Sequence, residues 1–410
     1  MPHATVVAAM RTTLLATILL IAVGCGQVQG KSAESAASPA SPSGSGTPAS
    51  TPVTSGPLLF GLLQARGTAN AWTYNTVVIA GLDGREVAKA TFAPMPVPAV
   101  GCMGAILPAS AHVAGGKVFF ADAKGVVRSL AIDGTVAVAA TFPMTTTQQM
   151  LSFAVSPDGI RLLGTVYTIP TNALTCDGSW SGTFTFDTYS AANGGIANPV
   201  YHQTWTKPQS VLALTGWDSV GPIGTYPTIW ASQGGGPGST LGVKVRVDAT
   251  TIKPGAAFSD PSACMVWDSN QSGAFVCTKD AVITNGGTAT QQVSLPVSVR
   301  RADGTELWQY TATGVNAPSN PALSPDGKRV LMCCAGVAVS ELVFNSDGTS
   351  TSLGTGFFAN GWLDSQTAIG ELHQDPTQQP PLTLGYMNVA AHSTAISLGL
   401  TGVFIGTVRG

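Results

Sequence analysis

Two stretches of the chain, FAVSPDGIRLL (153–163) and PALSPDGKRVL (321–331), repeat one pattern of apolar and polar positions. An apolar run ends, Ser-Pro-Asp-Gly turns the chain, and a second apolar run leaves. Ser accepts a turn hydrogen bond, Pro presets φ at about −65°, and Asp and Gly complete a tight type I turn. Each copy is therefore predicted to be a β-hairpin. After the second copy come RVLMCC, AVSELVF, the turn Asn345-Ser346-Asp347-Gly348 and TSTSL, which completes four short strands separated by turns.

Four antiparallel strands per unit make the blade of a β-propeller. Weaker copies emerge when the turn is used as the marker. Ala114-Gly115-Gly116-Lys117 precedes VFFAD, and Asp133-Gly134 separates VVRSLAI from TVAVAATF. Tryptophan-bearing turns stand in for Ser-Pro-Asp-Gly at 214–224, 265–277 and 359–370. A divergent unit around 75–92 brings the count to seven, at about 50 residues each, close to the ~40 to 50 of such repeats. The expectation is an all-β chain whose residues 58–410 form a propeller of seven four-stranded blades, with six or eight as alternatives. TGVFIGTV (401–408) is apolar enough to close the ring against 58–63. The stretch from about 167 to 207 reads as the longest insertion, emerging on one face. Its Asp177, Asp187, His202 and Trp205 are the candidates for a ligand-contacting surface.

The Ser-Pro-Asp-Gly hairpins, the Trp-Asp-Ser turns and the strand-ending Asp-Gly pairs resemble the bacterial seven-bladed propellers of the WD-repeat-like class. ADGTELWQY (302–310) is similar to the blade signature of pyrroloquinoline-quinone-type propellers, where Gly-x-x-x-Trp sets a tryptophan, here Trp308, in a girdle between blades. The resemblance covers most of 58–410 and is one of scaffold. The Gly-His and Trp-Asp pairs of eukaryotic WD repeats are irregular here, and one quinone-type signature stands alone. No functional residue of either family carries over, and no cofactor is expected.

Composition agrees with strands and turns: 48 Gly and 27 Pro, and only 10% charged residues. The net charge of −2 is scattered, which excludes the basic footprint of a nucleic-acid binder. The first residues follow a different logic. Arg11, the apolar run Leu14–Gly24 and then Cys25 form a charged region and a short hydrophobic region, too short to span a bilayer, which takes ~20 apolar residues. A chain starting at Met10 fits this pattern better than one starting at Met1. Ala22-Val23-Gly24-Cys25 resembles the lipobox of bacterial lipoproteins, with Ala22 where Leu is commoner. The resemblance implies a cleaved signal over 1–24, diacylglycerol (and palmitate) on Cys25, and anchorage outside the bacterial cell membrane. Residues 26–57 are a tether, since 26 of the 32 are Gly, Ser, Pro, Thr or Ala.

Six further cysteines sit in a compartment that permits disulfides. Cys264 and Cys277 flank the Asn270-Gln271 turn symmetrically and would face each other across a hairpin, the alternative being two buried small residues. The pairing of Cys102, Cys176, Cys333 and Cys334 stays open. No metal site is expected: there is no Cys-x-x-Cys, and His112, His202, His373 and His392 are isolated in sequence. Asp268-x-Asn270-x-Ser272-Gly273 begins like a calcium loop but has Lys279 where the bidentate Glu belongs, so it reads as a turn. Trp217, Trp267 and Trp362 favour packing between blades over a sugar-stacking surface, and Asp158, Asp326 and Asp347 read as turn acceptors. No nucleophile elbow, metal helix or dinucleotide loop is present. The reading is a monomeric binding or protein-interaction scaffold in the cell envelope, its partner an envelope protein or a glycan. The alternatives are a carbohydrate- or small-ligand-binding lipoprotein, or an enzyme (lyase, lactonase or quinone-dependent) with dispersed catalytic residues.

Overall fold

The computed structural model describes residues 58–66, 73–96, 98, 104–105, 111–171, 182–206, 213–225, 230–231, 244–247, 264–279, 282–284, 292–313, 319–333, 341–354, 356–373, 382–391 and 393–409. The expectations placed on the leader, Cys25, the tether, Cys102, Cys176, Asp177, Cys334 and His392 lie outside them. Among the described residues every regular element is a strand.

Seven antiparallel sheets form the blades of a propeller. Blade 1 joins the two ends of the domain: β1 (Leu59–Arg66), β2 (Thr73–Gly81) and β3 (Glu86–Thr91) run outward, and β30 (Val403–Val408) lies inside β1. Blade 2 holds β5 (Ala111–Ala114), β6 (Lys117–Ala121), β7 (Val126–Leu130) and β8 (Val136–Thr141). Blade 3 holds β9 (Gln149–Val155), β10 (Arg161–Thr168), β11 (Thr183–Ala192) and β12 (Asn198–Thr206). Blade 4 shows three strands among the described residues, β13 (Ala213–Trp217), β14 (Pro222–Thr225) and β16 (Lys244–Arg246). In blade 5, β17 (Met265–Ser269) pairs with β18 (Phe275–Thr278), β19 (Val282–Thr284) continues the line of β18 along β20 (Gln292–Arg300), and β21 (Glu306–Thr313) is outermost. Blade 6 is β22 (Ser319–Leu323), β23 (Arg329–Cys333), β24 (Leu342–Asn345) and β25 (Ser350–Ser352). Blade 7 is β26 (Phe357–Trp362), β27 (Thr367–Leu372), β28 (Thr383–Asn388) and β29 (Ile396–Thr401). A separate ladder pairs β4 (Gly104–Ala105) with β15 (Trp230–Ala231).

The core explains the ring. Buried side chains fall into seven clusters, and each lies in one seam between neighbouring blades. A sheet covered on both faces needs apolar residues on both, so the inner strands read as continuous apolar runs rather than alternations. In β9, Met150 to Val155 are all buried, whereas the rim strand β12 alternates between exposed and half-buried. The described seam between blades 4 and 5 is the thinnest, with Ile223, Val266, Phe275 and Cys277 buried. Cys277 is also bonded to Cys264, with Cα atoms 5.5 Å apart, across the β17–β18 pair.

The ring closes through the chain ends. Leu59 faces Val408 and Leu63 faces Val403, so β1 is hydrogen-bonded to β2 on one side and to β30 on the other.

The repeated turn is built identically in blades 3 and 6. Gly159 N–H donates to Ser156 O at 2.7 Å and Arg161 N–H to Ser156 Oγ at 2.9 Å; Gly327 N–H donates to Ser324 O at 2.9 Å and Arg329 N–H to Ser324 Oγ at 2.9 Å. Gly159 and Gly327 sit at φ 74° and 70°, the left-handed region that a side chain disfavours. The tryptophan-bearing turns occupy the same place in blades 4, 5 and 7, with Asp218, Asn270 and Asp364 accepting the turn N–H groups.

Candidate functional site

Antiparallel order gives the disc two unlike faces. On one, the first-to-second and third-to-fourth strand turns between described strands run from two residues (115–116) to seven (389–395). On the other, the connections reach fourteen residues between β10 and β11 (169–182), eighteen between β14 and β16 (226–243), eighteen between β16 and β17 (247–264) and nineteen between β3 and β5 (92–110). The β4–β15 ladder joins two of these long connections, one leaving blade 1 and the other within blade 4, and so lies across that face. Leu58 leads into β1 from the short-turn face, because Leu59 pairs with Val408 at the end of β30.

Polar side chains tie one blade to the next. His112 Nε2 lies 2.6 Å from Phe153 O, joining blades 2 and 3. Ser152 Oγ accepts from Leu214 N–H at 3.0 Å, joining blades 3 and 4. Asp268 takes Lys244 Nζ at 2.6 Å and Leu323 N–H at 2.8 Å, linking blades 4, 5 and 6. Buried Glu341 accepts from Ala359 N–H, and Thr407 Oγ1 donates to Leu363 O at 2.9 Å, joining blades 6 to 7 and 7 to 1. In blade 4 the Arg246 guanidinium grips Asp218 in a two-pronged pair, both side chains almost fully buried.

The tryptophans belong to the same scaffolding. Arg161 of blade 3 stacks over the Trp217 ring, 5.1 Å from its centre, and Trp362 Nε1–H donates to Ala322 O of blade 6 at 2.9 Å. Trp267 is held within blade 5 by Thr278 Oγ1 at 2.8 Å and packs into the seam with blade 6. Trp308 donates to Gly327 O at 2.8 Å, placing it between blades 5 and 6, and stacks on Tyr310.

The insertion expected over 167–207 resolves differently. TFTFDTYSAA alternates buried and accessible side chains and becomes β11, Asn193-Gly194 turns the chain, and β12 follows; only 169–182 is a connection. Asp187 and His202 face each other across β11 and β12, with His202 Nδ1 2.6 Å from Asp187 Oδ1. Trp205 packs against Phe186 with ring centres 5.3 Å apart. All three therefore lie on the rim strands of blade 3: Asp187 and His202 sit mid-strand, and Trp205 is one residue from the end of β12 at the long-connection face.

A second grouping escapes the sequence because its members are ordinary in isolation. Glu371 and His373 close β27 at the long-connection face, two positions apart and so on the same side of the strand. His373 Nε2 stands 3.6 Å from Glu371 Oε2, and the His373 ring meets Phe358 edge-on with centres 4.4 Å apart. Burial pushes the Glu371 carboxyl above its usual range, with His373 opposing. Burial, reinforced by the Glu371 charge, pushes the Tyr74 phenol of blade 1 up to about 12. A carboxyl group, an imidazole and an aromatic wall can together hold hydrogen bonds to a polar ligand.

No family model and no curated protein matches the chain. Solved structures similar to it include TolB from Acinetobacter baumannii (13% identity, 86% of this chain and 67% of that one, TM-score 0.37). Others are an oligogalacturonate lyase in complex with manganese (9%, 77% and 82%, TM-score 0.41) and the Dos1 propeller (10%, 80% and 82%, TM-score 0.40).

Proposed function

We propose that the protein is a lipoprotein of the bacterial envelope, anchored through lipid on Cys25, whose propeller is a binding module for an envelope protein. The observation that carries this reading is the polarity of the disc. The described domain begins at Leu58 on the short-turn face, and the strand ends joined by the longest connections, where specificity in a rigid scaffold resides, lie on the opposite one. Anchored in this way, the long-connection face points away from the lipid and toward whatever the envelope presents. The test is cross-linked capture from the producer's own envelope. One enriched envelope protein, cross-linked to residues of the long-connection face and lost when 169–182 is shortened, supports the reading; cross-links confined to the short-turn face refute it. Cys25→Ala should release the chain into the medium.

A second reading, binding of a glycan or another small polar ligand, is favoured by the Phe358, Glu371 and His373 grouping. Glycan-array signal that disappears in Glu371→Ala and Phe358→Ala would raise it above the first.

A further inference from the structure

Blades 6 and 7 do not match at the rim. β25 has three residues where β28 has six, so the outer part of the blade 7 sheet lacks the cover that an equal rim strand would give it. Between them lies a groove of about 450 Å³. Its floor is apolar: Leu353, Phe357, Leu372, Met387 and Val389 are buried and belong to one core cluster. Its lip carries hydroxyls, with Thr351 and Ser352 on the blade 6 bank and Ser393 and Thr394 on the blade 7 bank, all half-buried or exposed. Ser352 Oγ accepts from Gly354 N–H at 3.2 Å and Ser393 Oγ from Asn388 N–H at 3.0 Å. Those bonds hold the two hydroxyls in place and leave each with capacity for a further partner.

The groove is separate from the Phe358, Glu371 and His373 grouping. Phe357 faces Leu372 across β26 and β27, Phe358 faces Glu371 in the next pair, and successive pairs point to opposite sides of a sheet.

Size and charge decide what fits. Twelve described residues line the groove, whereas a standard protein interface takes about 20–30 residues a side. The volume instead falls within the ~300–1,000 Å³ of small-molecule sites. None of the twelve is Lys, Arg, His, Asp or Glu. A charged group on this floor would lose its water and find no counter-ion among them. An apolar body on the floor with a polar, uncharged head at the lip is satisfied at both ends.

We propose that the groove between blades 6 and 7 binds an uncharged amphiphile, its apolar body on Phe357, Leu372 and Met387 and its hydroxyl or carbonyl head at Ser352 and Ser393.

The test uses Nile red, an uncharged dye that brightens in apolar surroundings, with the purified full chain in detergent-free buffer. The dye should bind saturably and decanol should displace it. Decanoate and decylammonium, of equal chain length, should compete about tenfold less well or worse. With decanol bound, amides at 351–354, 387–389 and 393–395 should exchange several-fold more slowly. Ala395→Trp, which fills the groove from its lip, should weaken the dye about tenfold at an unchanged melting temperature. Should that variant melt early, Thr394→Trp, from an exposed position, carries the same expectation. Absence of saturable binding, or binding that the folded tryptophan variant leaves intact, overturns the site. Decanoate or decylammonium competing as well as decanol overturns the ligand class. Ligand-free protection of the same amides that grows with protein concentration, with dimers in sedimentation, assigns the groove to a second copy and overturns the proposal.

Discussion

Acidification should weaken the seam between blades 2 and 3 through one residue. The His112 ring packs edge-on against Phe153, centres 4.9 Å apart, and its Nε2 meets the Phe153 carbonyl. A carbonyl oxygen only accepts, so Nε2 carries the proton of the neutral ring and charging requires a second proton at Nδ1. Burial opposes that charge more strongly than the carbonyl bond favours it, and lowers the pKa from 6.5 to about 4. The unfolded chain takes up its proton near pH 6.5 and the native chain only near pH 4. Stability from this residue is therefore complete above about 6.5 and is lost as pH falls through that interval. At pH 4.5 the loss reaches about 2.5 kcal/mol, from 1.36 kcal/mol per pH unit, as a ceiling for a ring with some solvent access. Urea midpoints at pH 7.5 and 4.5, for the wild type and His112→Gln, isolate this effect from the carboxylates common to both. The wild type should lose about 2 kcal/mol more than the variant; equal losses would refute the argument.

Three further outcomes follow from the packing. Asp218→Asn removes the carboxylate charge that the buried Arg246 guanidinium grips and should cost about 3–5 kcal/mol in chemical denaturation. Gly361→Ala drives a Cβ to within 2.5 Å of the Phe404 ring on the closing strand, costing about 1–3 kcal/mol; a double-mutant cycle with Phe404→Leu should recover part of it. Replacing Cys264 and Cys277 together by Ser opens a loop with a sequence separation of 13 in the thinnest described seam, and should cost about 3 kcal/mol by thermal melting.

What the sequence revealed follows from where the structure is repetitive. Ser156 and Ser324 bond their turns identically, so a turn read once could be found again, and the tryptophan-bearing turns lie at the same place in other blades. The closing strand was legible because a run as apolar as 403–408 must be covered. β11 and β12 were missed as strands because Asn193-Gly194 replaces the marker turn, although their alternation was there to be read. The Glu371 and His373 grouping was invisible for a different reason. Two residues on one strand become a site only beside Phe358 on the neighbouring strand, and blade 1, with Tyr74, packs on that strand only after the ring closes.

The position of β1 has a mechanical consequence. A pull on the chain that precedes the domain would reach it at Leu58, along the axis of a strand flanked by β2 and β30. Force in that direction loads both ladders in shear, all their hydrogen bonds sharing the tension, whereas an edge strand pulled sideways would unzip one bond at a time. The first strand of the domain is thus the one held from both sides.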